Sequence, residues 1–191
     1  MASGDCLAIF VGGKSRRMGQ PKGSLVAPGS QETLLERQLR LGSELGVPVV
    51  LVGAGYEDVP GARVYDDPDL VGPLGGLLGL FRSPPAERVL TLAVDMPYVD
   101  LPTLRRLRDH PDPGPALVPF DPAVGRFQPF FARYRPHRLR PLLEEAARSG
   151  TDSFQRWLST LRPSLVHRWV MDDELRRTLR DWDTPEDIKA D

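Results

Sequence analysis

Glycines and cations are concentrated in one short segment near the amino terminus, VGGKSRRMGQPK at residues 11–22. Glycine lets the main chain approach a ligand closely, and clustered basic side chains attract an anion. The segment has neither the GxxxxGKS/T spacing of a P-loop nor the GxGxxG spacing of a dinucleotide-binding turn. It therefore predicts a longer polyphosphate-binding loop, in which main-chain N–H groups enclose phosphate oxygens and Arg16, Arg17 and Lys22 neutralise their charge. A solvated basic turn is the alternative.

Two further segments place an aspartate beside glycine or proline. In YDDPDLVGPLGG, at residues 65–76, the backbone could contact a base or ribose while Asp67 accepts hydrogen bonds from it. A turn with a capping aspartate explains this segment equally well. In VDMPY, at residues 94–98, Asp95 ends a buried apolar run. Because one or two carboxylates with phosphate oxygens and waters are enough to hold Mg²⁺, Asp95 is the predicted magnesium ligand, with capping of the turn before Pro97 as the alternative.

The remaining polar residues offer less specific chemistry. His110, His137 and His167 show no metal-ligand spacing. The arginine-rich segment at residues 133–140 could meet an anionic second substrate or form a solvated face. Cys6 is the single cysteine, so it can form no intramolecular disulfide, and we expect it to be a small buried residue of the first strand.

Strands and helices alternate along the chain in the pattern of a parallel sheet. Continuous apolar runs predict buried strands, and leucines at helical spacing predict helices. This alternation implies right-handed crossovers and a three-layer, doubly wound α/β fold, with a mostly parallel sheet and helices on both faces. Ligands of such sheets bind beyond the carboxyl ends of the strands. The predicted strands are 6–11, 49–52, 88–94, 116–118 and 130–132, and the predicted helices are 33–45, a short one from 102, 139–147, 153–161 and a terminal one from 184.

Length and composition favour one ordinary folded domain over residues 1–191, with 40% hydrophobic and 27% charged residues. The formal net charge of -1 argues against sequence-independent binding to nucleic acid. The amino terminus does not resemble a signal peptide, and no apolar run is long enough to span a bilayer. We therefore expect a cytoplasmic protein that binds neither nucleic acid nor a membrane.

Together, four segments resemble the molybdenum cofactor guanylyltransferases, within the broader nucleotidyltransferases whose amino-terminal motif is GGxSxRMGxxK. Here that motif reads GGKSRRMGQPK at residues 12–22. The family signatures GPLxG and DxPY appear as GPLGG at residues 72–76 and DMPY at residues 95–98. The NTPED-like segment near the carboxyl terminus reads DTPED at residues 183–187. The four segments follow the family's order and span nearly the whole chain.

The resemblance implies transfer of GMP from GTP to the phosphate of molybdopterin, which forms the guanine dinucleotide cofactor and releases pyrophosphate. It implies a Rossmann-like nucleotidyltransferase fold, with nucleotide bound by residues 1–110 and acceptor by residues 111–191. The implied partners are GTP, molybdopterin and molybdoenzyme-maturation proteins, and the implied cofactor is Mg²⁺. By position, Phe10, Val11, Gly12 and Gly13 would line the nucleotide, Lys22 would meet its phosphates, Gly53 and Asp67 would lie near the guanosine, and Asp95 would bind Mg²⁺.

Few groups are needed to catalyse this reaction. A phosphate monoester has its second pKa near 6, so the attacking phosphate is largely ionised at neutral pH and hardly needs a protein base. The obstacle is the approach of one anion to another. Lys22, Arg17 and Mg²⁺ on Asp95 would screen that repulsion and stabilise the departing pyrophosphate.

Three positions depart from the family's pattern. Family members commonly have LAGG where this chain has FVGG at residues 10–13, and Asn where it has Asp183. They commonly have Asp where this chain has Pro21, and a GxPK ending is similar to the molybdopterin cytidylyltransferases. CTP is therefore the alternative nucleotide. A catalytically weak carrier of nucleotide or finished cofactor is the alternative from another functional class.

Overall fold

The computed structural model describes residues 4–11, 21–56, 58–59, 61–64, 73–111, 114–184 and 187–188. Within these ranges it contains eight strands, six α-helices and a short 3-10 turn at Lys22–Ser24. The strands are β1 Asp5–Phe10, β2 Val49–Val52, β3 Ala62–Val64, β4 Arg88–Ala93, β5 Ala116–Asp121, β6 Arg126–Phe127, β7 Phe131–Tyr134 and β8 Val166–Val170. The helices are α1 Leu34–Leu45, α2 Pro73–Arg82, α3 Leu101–Asp109, α4 Pro136–Arg148, α5 Phe154–Thr160 and α6 Asp173–Thr178.

All of these strands belong to one sheet, in the order β3-β2-β1-β4-β7-β5-β6, with β8 paired to β5. β1 lies between β2 and β4 and is parallel to both. β7 is antiparallel to β4 and β5, and β8 is parallel to β5. The prediction of a mostly parallel sheet is confirmed, and β7 joins the strands of the first part of the chain to those of the second.

Helices cover both faces of the sheet, because successive side chains of a strand point to opposite sides. Cys6, Ala8 and Phe10 of β1 belong to one core with residues of α2, α4 and α5. Leu7 and Ile9 belong to a second core with residues of α1, α3 and α6. The predicted three-layer α/β architecture is therefore confirmed. Among the residues that the structure describes, none of the helices combines the length and the apolar character needed to cross a membrane.

An ion pair joins the amino ends of β1 and β4. Arg88 Nε donates to Asp5 Oδ1 at 2.6 Å, and Arg88 Nη2 donates to Asp5 Oδ2 at 2.7 Å. The adjacent Cys6 is fully buried. Burial, together with the charge of Asp5, raises the pKa of the Cys6 thiol to about 11. Cys6 is thus a protonated packing residue, as predicted for the single cysteine.

The observed helices and strands differ from the predicted ones at segments where glycine or proline suggested the end of a strand or a loop. The predicted strand at residues 116–118 continues to Asp121, and Pro119 lies inside it between Cα partners of β8. α2 begins at Pro73, inside the glycine-rich segment that suggested a loop. Its leucines and Phe81 are buried in the core, and this burial outweighs the cost of helical glycine. The short strands β3 and β6, the edge strand β8 and helix α6 were not predicted.

Candidate active site

The carboxyl ends of β1, β2 and β4 meet at one edge of the sheet. Val11 N donates to Val52 O at 3.0 Å, and Val94 N donates to Phe10 O at 3.1 Å. Gly53 follows β2 directly and has φ 107, a left-handed conformation that favours glycine. The parallel register therefore brings Val11, Gly53 and the residues after Val94 to the same edge.

Lys22 forms the centre of a charged cluster at this edge. Its Nζ donates to Asp95 Oδ2 at 2.6 Å and to Asp183 Oδ1 at 2.7 Å. The side chains of Lys22 and Asp95 are 19% and 18% exposed, whereas that of Asp183 is 63% exposed. One ammonium group thus lies between two carboxylates, one partly buried and one open to solvent.

The charges in this cluster are unequal. Burial lowers the pKa of Lys22, but hydrogen bonds to Asp183 and Asp95 and the charges of both outweigh that effect and raise it. Lys22 therefore stays positively charged at neutral pH and suits phosphate binding better than proton abstraction. Burial and the charges of Asp183 and Asp95 raise the pKa of Asp181. Among the residues that the structure describes, Lys22 thus contacts two carboxylates, and the carboxyl group of Asp181 lies close to both.

The carboxyl-terminal segment reaches this edge through Trp182. Trp182 is 2% exposed, and its main-chain N donates to Asp95 O at 2.9 Å. Its indole Nε1 donates to the hydroxyl of Tyr98 at 3.1 Å, and the two rings pack edge to face. Leu175 and Leu179 are buried in the same core. This packing brings Asp183 into contact with Lys22. The sequence motifs did not predict that contact.

A loop after β2 supports the turn that carries Lys22. A Cβ atom on Gly23 would lie 2.6 Å from the hydroxyl oxygen of Tyr56, so a larger residue would require that ring to shift. Tyr56 has φ 61, which is uncommon for a residue other than glycine. Arg63 donates to the carbonyl oxygens of Gly55, Tyr56 and Val59 and holds the loop in place. Gly23 beside Lys22 was a sequence signal for this close packing.

A cavity of about 630 Å³ adjoins the cluster. Asp181 and Asp183 line it, so it opens beside Lys22. The lining includes the aromatic side chains of Phe127, Phe130 and Phe154. The cavity is built largely from the second part of the chain, around β6, α5 and the end of α6.

Five of the predicted site residues are described by the structure, and all five lie at the carboxyl edge of the strands: Phe10, Val11, Lys22, Gly53 and Asp95. Lys22 and Asp95 contact each other directly. The other predicted residues lie outside the part of the chain that the structure describes: Gly12, Gly13, Arg16, Arg17 and Asp67.

Two secondary candidates have other positions. Arg133 is 3% exposed and donates to the carbonyl oxygens of Leu107, Arg108 and His110 at the end of α3. For residues 133–140 we predicted either contact with an anionic second substrate or a solvated face. Both predictions are wrong for Arg133, because its side chain is buried. The rings of His110 and His167 lie 5.3 Å apart, a proximity that their sequence spacing did not suggest. Within the described part of the chain, no three His, Cys, Asp or Glu residues form a metal-binding group.

Comparisons with known proteins identify the family of the chain. The family model of the MobA-like NTP transferase domain matches residues 7–166. The chain is 34% identical over 191 residues to a "Probable molybdenum cofactor guanylyltransferase" of Chloroflexus aggregans, covering 95% of this chain and 90% of that one. A relative of the same description from Opitutus terrae is 32% identical and covers 94% of this chain and 91% of its own.

Several solved structures share the fold of nearly the whole chain. One of them is the molybdopterin-guanine dinucleotide biosynthesis protein A of Archaeoglobus fulgidus, with a TM-score of 0.77, 22% identity, and coverage of 97% of this chain and 95% of that chain. At 22% identity, this similarity supports the assignment of the fold and nothing more.

Proposed function

The chain belongs to the MobA-like NTP transferase family and is a nucleotidyltransferase of molybdenum cofactor biosynthesis, and on that premise we propose that it transfers GMP from GTP to the phosphate of molybdopterin. An oxygen of the acceptor phosphate forms a bond to the α-phosphorus of GTP. The bond from that phosphorus to the oxygen bridging the α- and β-phosphates breaks, and pyrophosphate leaves. The products are the guanine dinucleotide cofactor and pyrophosphate.

The direct contact between Lys22 and Asp95 carries this proposal. The two residues come from separate motif segments, 73 positions apart, and meet at 2.6 Å where the strands end. A nucleoside triphosphate bound at that edge would have its phosphates beside a permanent cation. In the proposed site, Phe10, Val11, Gly12 and Gly13 line the nucleotide, Gly53 and Asp67 lie near the guanosine, and Lys22 and Arg17 neutralise the phosphates.

The acidic residues of the cluster fit a magnesium ion. Asp95 and Asp183 each accept a hydrogen bond from the ammonium group of Lys22. The space between their carboxylates therefore favours a positive charge. The carboxyl group of Asp181 lines the cavity next to that of Asp183, and its burial, followed by the charges of Asp183 and Asp95, raises its pKa. We propose that Asp95, assisted by Asp183, holds Mg²⁺ together with phosphate oxygens and waters. When bound, the ion would supply positive charge that stabilises the leaving pyrophosphate.

The described residues also account for catalysis without a base. The acceptor phosphate is already ionised at neutral pH, so it attacks without losing a proton. Lys22 binds and orients the phosphates, and its raised pKa keeps the positive charge in place throughout. Alignment of the acceptor phosphate with the α-phosphorus would supply much of the remaining rate enhancement.

Nucleotide choice is tested by measuring pyrophosphate release and dinucleotide formation with GTP or CTP, in the presence of molybdopterin and Mg²⁺. We expect rapid formation of the guanine dinucleotide and little product from CTP. Product from CTP alone would favour the cytidylyltransferase alternative suggested by Pro21. Nucleotide binding without pyrophosphate release would instead indicate a carrier. Omission of Mg²⁺, or its removal with EDTA, should stop the reaction.

A further inference from the structure

We propose that Arg37, near the start of helix α1, is a positioning residue that fixes Asp95 relative to Lys22. This inference rests on the proposed function, in which Asp95 holds Mg²⁺ and Lys22 contacts the phosphates. Arg37 acts through the main chain of residues 96–99, here called the Asp95 loop, and not by contact with a substrate. It lies outside the motif segments that predicted the site.

Side chains of α1 bind three carbonyl groups of the Asp95 loop. Arg37 Nε donates to Pro97 O at 2.9 Å, and Arg37 Nη2 donates to Val99 O at 2.8 Å. The neighbouring Gln38 is fully buried, and its Nε2 donates to Met96 O at 2.9 Å. The planar guanidinium group of Arg37 thus contacts two carbonyl oxygens at once. Lysine carries a single nitrogen and cannot reproduce this arrangement.

The Asp95 loop depends on these donors because it follows the end of β4 at Ala93. Met96 N donates to Ala93 O at 3.4 Å, which is a long hydrogen bond, and Pro97 has no N–H group to donate. Met96 and Val99 are buried, and a buried carbonyl group without a partner is costly. The donors of α1 therefore hold the loop in its observed conformation.

The same helix is joined to the turn that carries Lys22. Leu34 is the first residue of α1, and its main-chain N donates to Leu25 O at 2.7 Å. Leu25 N in turn donates to Lys22 O at 3.1 Å. Leu34 and Arg37 are three positions apart, so they lie within one turn of the helix. One turn of α1 thus supports both sides of the ion pair between Lys22 and Asp95.

The position of Asp95 matters for the proposed magnesium site. Mg²⁺ requires nearly octahedral coordination at about 2.0–2.1 Å, so a displaced carboxylate would bind it less well. The main-chain oxygen of Asp95 also accepts from Trp182 N at 2.9 Å. Because movement of the loop would loosen this bond, the amide of Trp182 reports on the order of the loop without metal or turnover.

Arg40 provides the matched control, because it lies on the same helix and pairs with the side chains of Glu32 and Glu44. We expect Arg37→Met to raise the Mg²⁺ concentration for half-maximal rate about fivefold and to lower kcat about tenfold. Arg37→Lys keeps one donor and should give intermediate values. Arg40→Met should stay within about twofold of wild type. The thermal unfolding temperature of each variant checks its folding.

Amide hydrogen exchange tests the inference apart from the proposed function. In Arg37→Met we expect the amide of Trp182 to exchange about tenfold faster, with the amides of Val11 and Gly53 unchanged. These two amides donate to strand carbonyls at the same edge of the sheet. Arg40→Met should change none of the three. If the wild type transferred no nucleotide, this local effect would still support the positioning of Asp95 while the proposed function fails.

Other results would overturn the role of Arg37. Equal behaviour of Arg37→Met and Arg40→Met in both assays would show that the loop does not depend on Arg37. Equally faster exchange at all three amides would show that Arg37 only stabilises the fold. A loss of activity with unchanged exchange at Trp182 would show that its effect does not pass through the Asp95 loop.

Discussion

The two ends of the neighbouring strands β1 and β4 carry ion pairs of different kinds. At the amino ends, Asp5 and Arg88 form a one-to-one pair with two parallel hydrogen bonds. At the carboxyl ends, Lys22 contacts both Asp95 and Asp183. Burial and the charges of these two carboxylates raise the pKa of the nearby Asp181. The first pair has one cation and one anion, whereas in the described part of the second cluster one lysine contacts two carboxylates.

This difference in the number of carboxylates per cation distinguishes an ion pair that stabilises the fold from a cluster that could bind ligands. A bidentate arginine–carboxylate pair satisfies both partners and needs nothing more. A lysine shared by two carboxylates leaves negative charge that favours a metal ion, while its own ammonium group can contact phosphate. Substitutions at the two ends should therefore change different properties of the protein.

Asp95→Asn should have the largest effect on activity. The neutral amide keeps the size of the side chain, and the main-chain bond from Trp182 to Asp95 O remains available. We expect Mg²⁺-dependent pyrophosphate release to fall at least about 100-fold, the scale of losing one electrostatic contact to the transition state. The matched control is Asp5→Asn at the opposite end of the strands. Full activity of Asp95→Asn would contradict the magnesium role.

Lys22→Met should come next, because it keeps a chain of similar length but removes the charge that meets the phosphates. We expect kcat to fall roughly 10- to 100-fold. In wild type, the pKa of Lys22 is raised above 10.5, so its contribution to stability is complete below that pH and is lost only as pH rises through the higher folded-state pKa.

The pH–rate profile of wild type tests the same assignment. It should show no loss of activity from deprotonation of Lys22 between about pH 7 and 9. A profile of Lys22→Met identical to that of wild type, with the same kcat, would exclude a phosphate-binding role for Lys22.

Asp183→Asn should have a smaller effect, because Asp183 is more exposed than Asp95 and an amide oxygen can still accept from Lys22. The family resemblance also has Asn at this position. We expect activity within about fivefold of wild type at saturating Mg²⁺, and a higher Mg²⁺ concentration for half-maximal rate. Titrations of the rate against Mg²⁺ measure both. A loss as large as that of Asp95→Asn would show that the two carboxylates act equally.

Asp5→Asn should have the smallest effect on activity. It removes the charge of the balanced pair, in which Asp5 is 11% and Arg88 31% exposed. We expect the free energy of unfolding to fall by about 1 kcal/mol, with unchanged kcat and KM. Urea unfolding and steady-state kinetics provide the two measurements. A selective loss of activity would contradict the separation between the two ends of the strands.

Much of the fold was predictable because short apolar runs and helical spacing of leucine are local patterns. The shared edge of Val11 and Asp95 followed from the rule that parallel strands end together. Local patterns were misleading in α2, where buried leucines outweigh helical glycines, and in β5, where Pro119 lies within the strand. In both cases tertiary packing overrides residue preference.

The sequence by itself determined the alternation of strands and helices, the family motifs that contain Lys22 and Asp95, and the position of Asp95 just after a strand. Only the tertiary structure decided that Asp183, 161 positions from Lys22, contacts it, and that Phe130, which lines the cavity beside Asp183, packs against Phe10. Those contacts depend on how Trp182, α6 and the second group of strands pack against the first. No periodicity records such packing, because it arises from surfaces that only the folded chain brings together.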